Sequence, residues 1–116
     1  MREERMIVFV AGPYTAPDDD GIAANVAAAC AAGKALLEKG HWPFIPHLTV
    51  AYDIWHENEY GERAPDDLYY DWDLAMLERC DGLLRIAPSP GADRELERAR
   101  ELGMPVWTSV EGVPGV

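Results

Sequence analysis

The first strong pattern in the chain is an apolar run from Met6 to Ala11 that stops at Gly12-Pro13. A run this short, β-branched in part and ended by a breaker, predicts a buried strand. A polar turn from Thr15 to Gly21 follows, with Pro17 and three consecutive aspartates. Ile22, Val26, Ala29, Gly33, Leu36 and Leu37 then recur at helical spacing, and Gly40 supplies a stop. Trp42 to Ile45 predicts a second short strand, closed by Pro46-His47. Leu48 to His56 is ambiguous, a helical turn being one reading, and Glu57 to Pro65, polar and broken by Gly61, reads as a mobile loop. Asp66-Asp67 suit a helix start, since carboxylates favour that end; this helix is expected to run to about Arg79. Asp81 to Ile86 predicts a third strand, and Pro88-Ser89-Pro90-Gly91 a tight loop. A helix follows to Leu102, capped by Gly103, and Met104 to Thr108 predicts a fourth strand. Val110 to Val116, rich in Gly and Pro, reads as a tail.

Strands alternating with helices imply an α/β domain: a parallel sheet of about four or five strands, joined by right-handed crossovers and flanked by helices. At 116 residues the chain suits one domain spanning residues 1–116. Ligand sites in such sheets lie beyond the carboxyl ends of the strands. Here those ends carry Gly12-Pro13-Tyr14, Pro46-His47 and Pro88-Ser89-Pro90-Gly91, which points to one shared pocket.

Composition narrows the function. The net charge is −11, which argues against a surface for a nucleic acid polymer, since that needs a clustered basic face. It does not exclude a small anion held by backbone amides. No stretch approaches the roughly 20 apolar residues of a membrane span, so no membrane partner is expected. The charged start, Met1-Arg2-Glu3-Glu4-Arg5, resembles no secretory signal, and a cytoplasmic location is expected. The two cysteines, Cys30 and Cys80, then read as buried thiols rather than a disulfide. His41, His47 and His56 show no zinc spacing with either, so no metal is expected.

The strongest candidate chemistry lies in Ser89-Pro90-Gly91-Ala92-Asp93-Arg94-Glu95. A glycine-containing loop after a strand leads into a helix, whose free amides at Gly91 and Ala92 can hold an anion while Ser89 adds a hydroxyl. Glu95 falls in the first turn or so, where the helix dipole favours its ionised form and suits it to nucleophilic attack. An ordinary helix-start carboxylate is the plainer reading. Asp73 is the natural second carboxylate: cleaving a glycosidic bond employs one group to attack the sugar and another to move a proton. A solvated helical residue is its plain alternative, and Asp81 reads as a turn residue. Gly12 would allow close approach of a ligand to the backbone. Tyr14 can stack on a base or sugar or simply pack, and His47 can bond a ligand or serve the structure. Trp55 and Trp72 can wall a base pocket, with core packing as the default. Dinucleotide and triphosphate fingerprints are absent, and no cofactor is expected.

These pieces, in this order, resemble the nucleoside 2-deoxyribosyltransferase superfamily, in particular its short members with an "AGPY" strand end. The matching residues are Val10-Ala11-Gly12-Pro13-Tyr14, Asn25, Pro43-Phe44-Ile45-Pro46-His47, Asp73-Leu74 with Cys80-Asp81, Ser89-Pro90-Gly91 with Glu95, and Gly103-Met104-Pro105-Val106. The resemblance implies a flavodoxin-like fold and a covalent glycosyl-enzyme intermediate on Glu95, with Asp73 assisting proton transfer at the base. It implies a nucleoside or nucleotide substrate. Deoxyribosyltransferases place an aspartate for the sugar 5′-hydroxyl where Ser89 stands, whereas nucleotide N-glycosidases carry a serine for the 5′-phosphate. The expectation is therefore a 5′-monophosphate N-glycosidase, with base exchange or a non-catalytic nucleotide-binding module as alternatives. Two positions depart from the pattern: Phe9 aligns with a tyrosine of many members, and Thr15 with an arginine of some nucleotide hydrolases. Several relatives complete the pocket from a neighbouring subunit, which implies a homo-oligomer, a dimer or tetramer.

Overall fold

A computed structural model describes residues 4–116; the charged start read at Met1, Arg2 and Glu3 lies outside the described residues. Four parallel strands, β1 (Ile7–Ala11), β2 (Trp42–Phe44), β3 (Gly82–Arg85) and β4 (Val106–Trp107), form one sheet in the order β2-β1-β3-β4. In register, Phe9 pairs with Phe44 on one side and Leu83 on the other, and Leu83 pairs with Val106. The helices are α1 (Asp19–Glu38), α2 (Val50–Tyr60), α3 (Asp66–Leu77) and α4 (Pro90–Glu101). This is the flavodoxin-like strand order, with the reversal of winding between β1 and β3.

β1 explains why the sheet is buried on both faces. Its alternating side chains divide between two apolar clusters. Val8 and Val10 join Ala29, Ala32 and Leu36 of α1 and Leu84. Phe9 and Ala11 join Leu77 of α3, Leu83, and Ala92, Leu96 and Ala99 of α4. A run apolar at every position therefore belongs to a central strand between helical layers. Asp81 accepts a hydrogen bond from the Ile7 amide at 2.8 Å and ties the start of β3 to β1, as befits a turn residue.

Several expectations are corrected. Residues 50–60 form the full helix α2, not a turn followed by a loop; Gly61, at φ 78°, ends it with its amide donating to the Glu57 carbonyl at 2.8 Å. α2 buries no residue, so it left no apolar periodicity to read. The segment 110–116 is docked rather than a tail. Val113 is buried, the Val116 amide donates to the Lys39 carbonyl at 2.8 Å, and Lys39 Nζ donates to the Val113 carbonyl at 2.6 Å. The segment opens with a single 3-10 turn, Val110–Gly112, and packs without longer regular structure. Cys30 is exposed and only Cys80 is partly buried, since α1 turns its Ala29 side inward and Cys30 out. No helix among the described residues is long and apolar enough to cross a membrane.

Candidate active site

The loops at the carboxyl ends of β1, β2 and β3 open onto one cleft of about 1190 Å³. Gly12, Pro13, Tyr14, His47, Asp73, Ser89, Gly91, Ala92 and Glu95 all line it. The topology causes this convergence. β1 and β3 are neighbours, so the loop after β1 and the start of α4 face each other across the winding reversal. Residues after β2 close one flank and α3 the other.

Glu95 and Asp73 meet across the α3–α4 packing. Glu95 is only 7% exposed, and its proton affinity is raised to about 8, first by burial and then by the nearby Asp73 charge. Burial likewise raises Asp73 to about 6. Neither carboxylate has an ion-pair partner among the described residues. The ionisation expected from the helix dipole is thus reversed. α4 begins at Pro90, so Glu95 sits in the second turn, beyond the free amides, and desolvation outweighs the dipole. Two adjacent carboxyls that titrate apart are the arrangement in which one attacks and the other carries a proton.

His47 is nearly fully buried at the cleft wall, held by Nε2 3.0 Å from the Pro13 carbonyl. A carbonyl only accepts, so Nε2 carries the proton and Nδ1 is left as a bare acceptor. Nδ1 is buried and has no hydrogen-bond partner. Burial also lowers the affinity of this ring for a second proton, which keeps it neutral. Tyr14 lies beside it, ring centroids 6.1 Å apart, and Asn25 Nδ2 fixes the Tyr14 carbonyl at 3.0 Å.

The Ser89 region is less open to an anion than the sequence suggested. Ser89 is the N-cap of α4: its Oγ accepts from the Ala92 amide at 3.0 Å, and its carbonyl accepts from the Asp93 amide at 2.8 Å. Pro90 has no N–H, so Gly91 holds the remaining amide of this helix start. The Ser89 hydroxyl proton stays free to donate. Gly12 also has a different reason from the one expected. A Cβ there would stand 2.6 Å from Ile86 Cγ1, so the glycine makes room for the protein's own side chain.

Comparison with known proteins follows the same lines. Residues 6–109 match a protein family described as "Domain of unknown function (DUF7768)". The chain belongs to that family. No curated protein sequence matches it. Among solved structures, the 2-desoxiribosyltransferase from Leishmania mexicana is similar, with a TM-score of 0.57 and 19% identity, over 86% of this chain and 61% of that one. The likeness establishes a shared α/β fold, and this DUF7768 chain spans about three fifths of that protein's length.

Two clusters in this DUF7768 cleft escaped the sequence reading. Asp53 of α2 accepts from Arg63 Nε at 3.1 Å and from the Tyr69 hydroxyl at 2.9 Å, joining α2 to α3. Arg94 lays its guanidinium over the Tyr70 ring, 4.4 Å from the centroid. Sequence spacing hides both, because the first spans an unpredicted helix and the second spans two helices. Trp55 and Trp72 neither line the cleft nor sit in the core. They belong to an exposed aromatic cluster with Tyr52 and Tyr69, Trp55 being 50% exposed. Phe9 is fully buried and stacks on Phe44 at 5.6 Å, so that position presents nothing to the cleft.

Proposed function

We propose that this chain cleaves the N-glycosidic bond of a nucleoside 5′-monophosphate, through a glycosyl-enzyme intermediate on Glu95. The observation that carries the reading is the pair of Glu95 and Asp73, both desolvated and neither in an ion pair among the described residues, in a cleft at the strand ends. Perturbed carboxyls in a cleft mark functional sites, because a fold otherwise has no reason to keep that cost.

The chemistry follows from one proton shared by two carboxyls. Burial leaves that proton on Glu95, so it first passes to Asp73; the Glu95 carboxylate oxygen then attacks the anomeric carbon, and the bond from that carbon to the base nitrogen breaks. The bonding pair leaves with the nitrogen, and Asp73 supplies the proton that neutralises the departing base. Water then attacks the glycosyl ester. Asp73, now a carboxylate, takes the water's proton, and the Glu95 carboxylate is released with the free sugar phosphate. Gln at position 95 cannot supply the anion, and Asn at position 73 cannot carry the proton. Tyr14 offers a ring for stacking.

A second reading is base exchange, in which a second base replaces water in the last step. The cleft volume favours it, since about 1190 Å³ exceeds the roughly 300–1,000 Å³ typical of small-ligand pockets. The activity for which the similar Leishmania mexicana protein is named points the same way. The test is incubation with a panel of nucleosides and 5′-monophosphates, with and without a second base. Free base that appears with wild type and not with Glu95→Gln supports the hydrolase. Product only with an added base supports exchange. No product under either condition contradicts both.

A further inference from the structure

We propose that Arg94 is the specificity-determining residue of this cleft, seating the phosphate of a nucleotide and so separating nucleotide from nucleoside. The inference rests on reading the cleft as an N-glycoside site, and it asks where in that cleft an anion can go.

The cleft is acidic. Asp19, Asp53, Glu57, Asp66, Asp73 and Glu95 line it, against two arginines. A phosphate is repelled over most of this surface and needs an uncommitted cation. Arg63 is committed: its guanidinium lies 3.1 Å from Asp53 Oδ2 and 3.9 Å from Asp66 Oδ1. Arg94 has no ion pair among the described residues. It lies over the Tyr70 ring instead, where its charge also partly offsets the raised proton affinity of Glu95 without an ion pair between them. A planar fork already positioned by stacking binds phosphate bidentately with little ordering left to do.

Its place on the helix supports the assignment. Arg94 and Glu95 follow Gly91 by three and four residues, so both border its stripe of α4. The remaining helix-start amide, at Gly91, therefore adjoins the two of them. On α3, Tyr70 and Asp73 are also three apart. Tyr70–Arg94 and Asp73–Glu95 thus form two adjacent cross-links between α3 and α4, one able to hold a phosphate and the other able to act on a glycosidic bond. The Ser89 hydroxyl, whose oxygen already accepts from Ala92, serves as a minor donor. The charge that decides between phosphate and hydroxyl is then that of Arg94.

The experiment is calorimetric titration of a deoxynucleoside, its 5′-monophosphate and inorganic phosphate into Glu95→Gln, which binds without turnover. The same titrations are run with Arg94→Ala, Arg94→Lys or the exposed control Arg100→Ala added. The monophosphate is expected to bind about 10- to 100-fold more tightly than the nucleoside. Arg94→Ala should erase that difference and leave nucleoside affinity unchanged. Arg94→Lys should keep part of it, and Arg100→Ala all of it. Equal affinities for the two ligands, no binding of the monophosphate, or an equal loss of both ligands in Arg94→Ala would overturn the proposal. Base release by the wild-type protein is scored separately. If base is released without any phosphate preference, the glycosidase reading stands and the role of Arg94 falls. If phosphate binds through Arg94 and no base is released, the reverse holds.

Discussion

Two buried histidines sit at opposite ends of the same sheet and have opposite fates. His41, before β2, is 1% exposed and uses both ring nitrogens: Nδ1 accepts from the Met6 amide at 3.1 Å, and Nε2 donates to the Pro114 carbonyl at 2.6 Å. His47, after β2, is 4% exposed and uses one, leaving Nδ1 bare. The amino end of the sheet is closed, with the segment 113–116 bonded across it. The carboxyl end keeps a buried orphan acceptor at the wall of an open cleft, and in that cleft two carboxyls without an ion pair among the described residues. Each orphan costs about 1–3 kcal/mol, and a fold that satisfies its polar groups at one end has the means to do so at the other. On the proposed reading, the contrast separates polar residues that hold the structure from polar residues that serve the cleft.

The contrast breaks most sharply at Glu95. Glu95→Gln should lower turnover on the order of 10⁴-fold or more, as the loss of a nucleophile does, while the protein still folds. His41→Gln, at the closed end, should leave kcat unchanged and lower only stability. Steady-state base release and thermal unfolding of both variants check the pair.

Asp73→Asn should cost about 10²–10⁴-fold, the range of general acid–base help. The pH profile sharpens the assignment. The working state holds one proton on the pair, so wild-type kcat/KM should rise through about 6 and fall above about 8. Asp73→Asn removes the proton carrier and should abolish the fall at high pH. A profile that keeps both limbs in Asp73→Asn would assign the proton to another group.

Glu95 should also show in stability. Its folded proton affinity is raised above the ordinary 4.5, so its stabilising contribution is complete below that value and is lost as pH rises through about 8. Glu95→Gln should therefore match wild type near pH 4 and exceed it above pH 8 by on the order of 5 kcal/mol, as urea unfolding at the two pH values would show. The histidines themselves differ, and the smallest effect belongs to His47. His41→Phe should destabilise by about 2–6 kcal/mol, because it orphans both the Met6 amide and the Pro114 carbonyl. His47→Phe also orphans one carbonyl but removes the bare Nδ1, so it should cost no more than about 1 kcal/mol.

The sheet was legible because its strands are continuous apolar runs bounded by breakers, and the winding reversal then brought Gly12-Pro13-Tyr14, His47, Ser89 and Glu95 together. What the sequence hid has physical reasons. α2 is a surface helix with no buried residue, so it carried no periodic signal. The protonation of Glu95 depends on desolvation by α3, which no local pattern encodes. Ser89 looked like a free anion donor because capping is a matter of side-chain rotamer, and its oxygen turns back to Ala92. Arg94 was visible as a residue and invisible as a cleft cation, since its partner Tyr70 lies on another helix.

The most direct test of the account is covalent. A nucleotide analogue fluorinated at the sugar 2-position slows release of the sugar from a carboxylate ester and so lets that ester accumulate. Wild-type protein incubated with the analogue, digested and examined by mass spectrometry should carry one sugar phosphate on the peptide containing Glu95. The Glu95→Gln variant should carry none. Base release with no adduct on Glu95, or an adduct on another residue, would contradict the assignment of Glu95 as the nucleophile.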